Sequence, residues 1–276
     1  MSLNRLAYRV VVGKGSAAPR GALYVLHGFL GSGRNWSSIA RRLVDLRPDW
    51  RVVLADLRLH GDSRATPGPH DIGACAGDVR RLRDLIGGRD LHTALLGHSF
   101  GGKVGLAVSG SMKPPPIQTW VIDSTPEPTA GDSNSARMLD LVARSPDQFE
   151  TRDDAVAWIL SGGFDEATAR WMAMNLKRLG ESWVWQLDVS GLEDLRADFA
   201  RSDLWSAVEE SLRDTDLRFV YAESGSILST GARDRLARLE AQDAAVSVTG
   251  LRGGHWLHID NPDGLLQLMA DHLPRL

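Results

Sequence analysis

A serine held between glycines at the end of an apolar run is the first place in this chain where chemistry could happen. Residues 93–105 read T-A-L-L-G-H-S-F-G-G-K-V-G, so Ser99 stands in a G-x-S-x-G string. A short apolar run, residues 94–96, precedes it and a helical pattern follows. Strand, sharp turn and helix form the context in which that string carries a nucleophile. In so tight a turn, a side chain at Gly97 or Gly101 collides with neighbouring strand and helix, and the serine itself occupies strained backbone. The start of the following helix adds free N–H groups and the positive end of a dipole. Both favour negative charge developing beside Ser99.

A serine hydroxyl is a poor nucleophile at neutral pH. It needs a base within hydrogen-bond reach, and the base needs an acid to orient it. Of the eight histidines, His255 is best placed as the base, because it lies in a loop after the last strand pattern, behind Gly253 and Gly254. His258 is its rival, with a structural role near the closing helix as the other reading. His27 precedes a glycine-rich loop and reads as structural. His60 belongs to a tight turn, and His98 is the variable position of the serine string. The spacing of His255 and His258 suits a metal pair, but no third ligand cluster lies nearby, so no metal and no cofactor are expected.

The elements that must position these residues alternate. Residues 6–12 pattern as an edge strand, and 22–26, 51–55, 94–96, 118–122, 217–222 and 245–249 as strands. Helical spacing covers 36–46, 72–86 and 231–239, and Asn261 with Pro262 opens a closing helix. Regular strand–helix alternation predicts an α/β fold, a mostly parallel sheet covered on both faces, in which ligands bind beyond the carboxyl ends of the strands. His27, Asp56, Ser99 and Asp123 all fall at or just past those ends. After Pro128 the alternation stops, and from 136 to about 208 only helices and loops are read. Thr151 with Asp154 caps one helix there and Asp165 opens another running to Asn175. This predicts a core domain of residues 1–128 and 209–276 with a helical cap subdomain inserted at 129–208. Trp158, Trp171, Trp183, Trp185 and Trp205, five of nine tryptophans, lie in the inserted stretch. Most are expected in a small core, and one or two in a substrate pocket.

Composition excludes several classes. The chain has 276 residues, 43% hydrophobic and 24% charged, with a net charge of −3 and no basic stripe for nucleic acid. No apolar run reaches membrane-spanning length, and the polar start M-S-L-N-R-L has no secretory h-region. The single cysteine, Cys75, forms no internal disulfide and fits a reducing compartment. A cytoplasmic protein is expected. Oligomeric state is left open.

Five stretches in order, H-G-F-L-G-S, D-L-R-L-H-G-D-S, G-H-S-F-G-G-K, V-I-D-S-T-P and G-G-H-W-L-H, resemble the α/β-hydrolase superfamily and cover nearly the whole chain. The second and fourth resemble small bacterial esterases and thioesterases with organellar and plant relatives. The resemblance implies Ser99 as nucleophile, His255 as base, and the backbone N–H groups of Phe29 and Phe100 as oxyanion hole. Many α/β-hydrolases carry their acid just after the strand at 217–222, where this chain reads A-E-S-G-S-I with Gly225 in the aspartate's place. The resembling subgroup uses the position of Asp123 instead. Glu223 is the competing acid, and Ser224 or Ser226 could donate a supporting hydrogen bond. The implied function is hydrolysis of a small-molecule ester or thioester through an acyl-enzyme. Two alternatives stand beside it. One is a lyase or synthase of the menaquinone-pathway type, which H-G-F-L-G-S-G-R-N-W also resembles, and the other is a hydrolase-derived ligand-binding protein.

Overall fold

The computed structural model describes residues 5–14, 18–130 and 133–276, so the polar start is described only from Arg5 onward. The chain runs β1 (Tyr8–Val11), β2 (Gly21–Leu26), α1 (Ser37–Leu46), β3 (Trp50–Ala55), α2 (Ile72–Leu85), β4 (His92–His98), α3 (Phe100–Ser111) and β5 (Gln118–Ile122). After a long excursion it resumes with β8 (Asp216–Ala222), α9 (Thr230–Gln242), β9 (Val246–Leu251), α10 (Leu257–Asp260) and α11 (Pro262–His272). The seven strands order as β1-β3-β2-β4-β5-β8-β9. Only β1 is antiparallel to its neighbour, β3; the other pairings are parallel.

The apolar runs explain this sheet. Every residue of β2 is buried, as in a strand covered on both faces. The two-residue period of the strand sorts its side chains. Ala22, Tyr24 and Leu26 enter the core shared with α2 and α3, whereas Leu23 and Val25 enter the core shared with α1 and α11. A smaller third core joins the far strands to α9, around Leu217, Phe219 and Leu236. Cys75 on α2 is fully buried in the first core.

The excursion between β5 and β8 contains α4 (Asn134–Ala143), α5 (Arg152–Ser161), α6 (Glu166–Met172), β6 (Leu176–Leu179), β7 (Ser182–Trp185), α7 (Val189–Arg201) and α8 (Trp205–Ser211). Thr151 and Asp154 form the expected capping box on α5, and Asp165 caps α6 by accepting the Thr168 N–H. The expectation of helices and loops alone is corrected here. β6 and β7 pair antiparallel, Leu176 opposite Trp185 and Leu179 opposite Ser182. The turn is tight, with Gly180 at φ +63°. Four-residue strands give too few periods for alternation to stand out in the sequence.

Candidate active site

β4 ends at His98 and α3 begins at Phe100, so Ser99 alone makes the turn. Its φ of +52° and ψ of −116° lie where non-glycine residues are rare. A Cβ on Gly97 would meet the Gly101 carbonyl, and one on Gly101 would meet the Leu26 carbonyl of β2. That is the close packing expected from the sequence. The strained turn is held by backbone: the Ser99 N–H donates to Ile122 O at 2.9 Å, and the Ser124 hydroxyl donates to Ser99 O at 2.6 Å.

β4, β5 and β8 are neighbours, and their ends bring together residues far apart in sequence. His255, in the loop after β9, places Nε2 3.0 Å from Ser99 Oγ. Its Nδ1 stands 2.6 Å from Asp123 Oδ2. Asp123 follows β5, is fully buried and has φ +38°. Its other oxygen accepts the Ala222 N–H at 2.9 Å and the Ser226 hydroxyl. Burial pushes this carboxyl up, but the hydrogen bonds from His255, Ala222 and Ser226 outweigh it and hold it below the usual carboxylate range. Glu223 is exposed at the end of β8. Of the two serines considered, Ser226 is the one that reaches Asp123.

The other histidines surround this relay. His98 is buried and donates from Nε2 to the His255 carbonyl at 2.8 Å, which fixes the backbone of that loop. Burial, with His255 and His258 nearby, holds it well below the ordinary histidine pKa. His27 donates from Nδ1 to Gly28 O at 2.8 Å and accepts the Leu57 N–H on Nε2 at 2.9 Å. It pins the glycine-rich loop to the next strand end as a neutral ring, lowered to about 4 by burial. His60 donates to Arg58 O at 2.8 Å. His258 stacks on Trp36 with ring centroids 4.6 Å apart. Among the described residues no group of three or more His, Cys, Asp or Glu is placed to hold a metal ion.

A cavity of about 780 Å³ opens over Ser99 and His255. Phe29 and Phe100 border it, their rings edge to face at 5.6 Å. Phe100 is the first residue of α3, where a helix has no carbonyl of its own for the N–H. Phe29 lies in the loop after β2. The insertion supplies the opposite wall: Met138, Phe164, Trp171 and Phe199 line the cavity, and Trp171 packs against Trp256 at 5.4 Å. Trp158 and Trp185 instead spend their indole N–H groups on Leu141 O and Ser145 Oγ.

Two tethers join the insertion to the site, and sequence reasoning passed over both. Asn175 donates from Nδ2 to Leu30 O at 3.1 Å, beside Phe29. Lys103, fully buried on α3, donates to Phe199 O at 2.7 Å and Ser202 O at 2.9 Å. Each contact spans about a hundred residues or more, so no local pattern marks it. Ser124 was also passed over, although it sits in the V-I-D-S-T-P stretch.

The sequence pattern of the alpha/beta hydrolase fold family matches residues 21–246. The chain is 24% identical over 258 residues to the sn-1-specific diacylglycerol lipase ABHD11 of Mus musculus, covering 91% of this chain and 80% of that protein. It is 25% identical over 252 residues to Esterase YbfF of Escherichia coli (strain K12), covering 91% and 92% respectively. Among solved structures, a marine microorganism esterase superposes with a TM-score of 0.78 at 19% identity, covering 97% of this chain and 98% of that one. That likeness shows the fold.

Proposed function

This chain belongs to the α/β-hydrolase fold family, and from that premise we propose that it is a serine hydrolase of carboxylic esters or thioesters with Ser99, His255 and Asp123 as its triad. The observation that carries the reading is the unbroken relay from Ser99 Oγ through His255 to Asp123, at 3.0 and 2.6 Å, on the floor of a cavity. Curated relatives that are an esterase and a lipase support ester chemistry.

Ser99 Oγ attacks the acyl carbon while His255 Nε2 takes its proton. Asp123 accepts from Nδ1–H, which fixes the tautomer and offsets the charge of the imidazolium. The oxyanion falls between the N–H groups of Phe29 and Phe100, and loss of one such donor costs about 2.7–4 kcal/mol of transition-state stabilisation. The adduct collapses, the carbon–oxygen or carbon–sulfur bond breaks, and His255 returns its proton to the leaving alkoxide or thiolate. Water then attacks the acyl-enzyme with His255 again as base. The carboxylic acid leaves and Ser99 is restored. Residues 129–208 act as a cap subdomain on a core of 1–128 and 209–276, and their apolar side chains hold an acyl or aryl group over Ser99.

A fluorophosphonate probe read by intact mass tests the reading. Wild type gains one adduct and Ser99→Ala none. With p-nitrophenyl esters of graded chain length, Asp123→Asn turns over about 10⁴-fold more slowly than wild type, the scale of losing the histidine's correct tautomer. Full esterase activity in Ser99→Ala would sink the assignment. Labelling without turnover of any ester would favour a ligand-binding protein or a carbon–carbon lyase on the same fold.

A further inference from the structure

A second cavity of about 400 Å³ lies on the other side of the loop that carries Phe29. Leu30, Gly31, Asn35 and Trp171 border both cavities, so the two adjoin along that loop and that indole. Their chemistry differs. The first is walled mostly by apolar side chains, among them Met138, Phe164 and Phe199, with Arg137, Asp165 and Arg196 also on its lining. The second is lined by four cations, Arg34, Arg64, Arg152 and Lys177, against two carboxylates, Asp56 and Asp62.

Neither carboxylate neutralises those cations well. Asp56 is spent on backbone, accepting the Gly33 N–H at 2.8 Å and the Asp62 N–H at 2.9 Å. Asp62 stands 3.9 Å from Arg34 and 3.6 Å from Arg64, and is itself exposed. Exposed pairs this loose are readily exchanged for a better partner. Arg152 donates to Ala173 O at 2.9 Å, and its guanidinium lies 5.4 Å from the Trp183 ring centroid. No carboxylate pairs with Arg152 or Lys177 among the described residues, and Lys177 is exposed on β6. The chain as a whole carries −3, so this excess of positive charge is local to the cavity.

We propose that the second cavity is an anion subsite of the same active site, receiving a carboxylate or phosphate carried at the far end of the ester. The inference rests on the serine hydrolase reading and narrows it to substrates with one apolar and one anionic end. Arginine and lysine side chains recognise such a group by charge-assisted hydrogen bonds, and Arg152 is pre-oriented by its carbonyl and its indole.

Two matched ester pairs test this and locate the charge. Mono-4-nitrophenyl adipate against its methyl ester places the anion on the acyl side. 4-Carboxyphenyl butyrate against its methyl ester places it on the alcohol side. In one pair kcat/KM favours the anionic ester by about tenfold or more at low salt, and the preference shrinks as salt is added. In Arg34→Gln/Lys177→Gln the anionic-to-neutral ratio falls toward one. Both side chains are exposed, and an unchanged thermal midpoint verifies that the variant is folded. Turnover of neutral esters with no preference in either pair, or a preference untouched by the double variant, overturns the subsite alone. Absence of turnover with every ester overturns the hydrolase reading and the subsite with it.

Discussion

Ser99 is held at φ +52° by its neighbours rather than by its own preference. A non-glycine residue in such a region costs of order 1–3 kcal/mol. That strain lifts the hydroxyl off the sheet edge toward His255. Ser99→Gly therefore stabilises the fold by about 1 kcal/mol relative to Ser99→Ala, because both lack the hydroxyl and only glycine escapes the strain. Thermal midpoints a few degrees apart check it, and equal midpoints would show that the turn is unstrained. Ser226 gives a second test. It donates to Asp123 Oδ1 from the loop after β8. Ser226→Ala costs about 2 kcal/mol, the scale of a hydrogen bond to a charged group, and lowers kcat more than it raises KM. The sign with pH follows from the depressed Asp123 carboxyl. Its stabilisation is present above the unfolded carboxylate pKa and is lost as pH falls through the folded value. Without the Ser226 donor that value rises, so the variant loses stability at a higher pH than wild type in urea titrations.

The way α3 meets α7 decides how the insertion sits. Lys103 has no carboxylate partner among the described salt bridges, yet it is fully buried. It is held by Phe199 O, in the last turn of α7, and by Ser202 O at the C-cap, where carbonyls lack helical partners and a cation meets the negative end of the dipole. Burial lowers its pKa to about 8, from 10.5. Between those values the unfolded chain holds the proton and the folded chain does not, so stability gains from this residue as pH rises through that window. Lys103→Met orphans both carbonyls and loses about 1–3 kcal/mol at pH 7.5, and the gap to wild type widens by pH 10. A gap that stays constant would mean that the buried amine keeps its proton up to pH 10, as it does in the unfolded chain. Elements of this kind also mark where sequence reading succeeds. β2 to β5 each contain a short apolar run that ends in distinctive residues, so sheet and strand-end residues were both legible. The hairpin β6–β7 was not, because L-K-R-L and S-W-V-W carry too few periods. The Lys103 and Asn175 tethers were not, because their partners are carbonyls, which leave no mark in a sequence.

Across the whole molecule, the carboxyl end of the sheet concentrates neutral histidines. His27 follows β2, His60 follows β3, His98 ends β4 and His258 lies in α10. Their rings touch: His27 and His60 lie 5.1 Å apart, and His98 and His258 also 5.1 Å. Burial lowers His27 and His258 to about 4 and His60 to about 3, and His98 well below 6.5. All four bind a proton near pH 6.5 in the unfolded chain. Below that pH the unfolded state holds more protons, so stability falls as pH drops from about 6.5 toward 4. Each histidine contributes about 1.4 kcal/mol per pH unit, and at pH 5 unfolding takes up roughly four protons. The same neutral rings that build the wall behind Ser99 therefore set the acid limit of the fold. Urea midpoints measured from pH 7.5 to 5 should fall steeply below pH 6.5, while His258→Phe, which keeps a flat ring on Trp36, removes about one proton from the slope. A dependence of less than one proton across that range would mean the histidines are charged in the folded state, and the neutral wall would have to be abandoned.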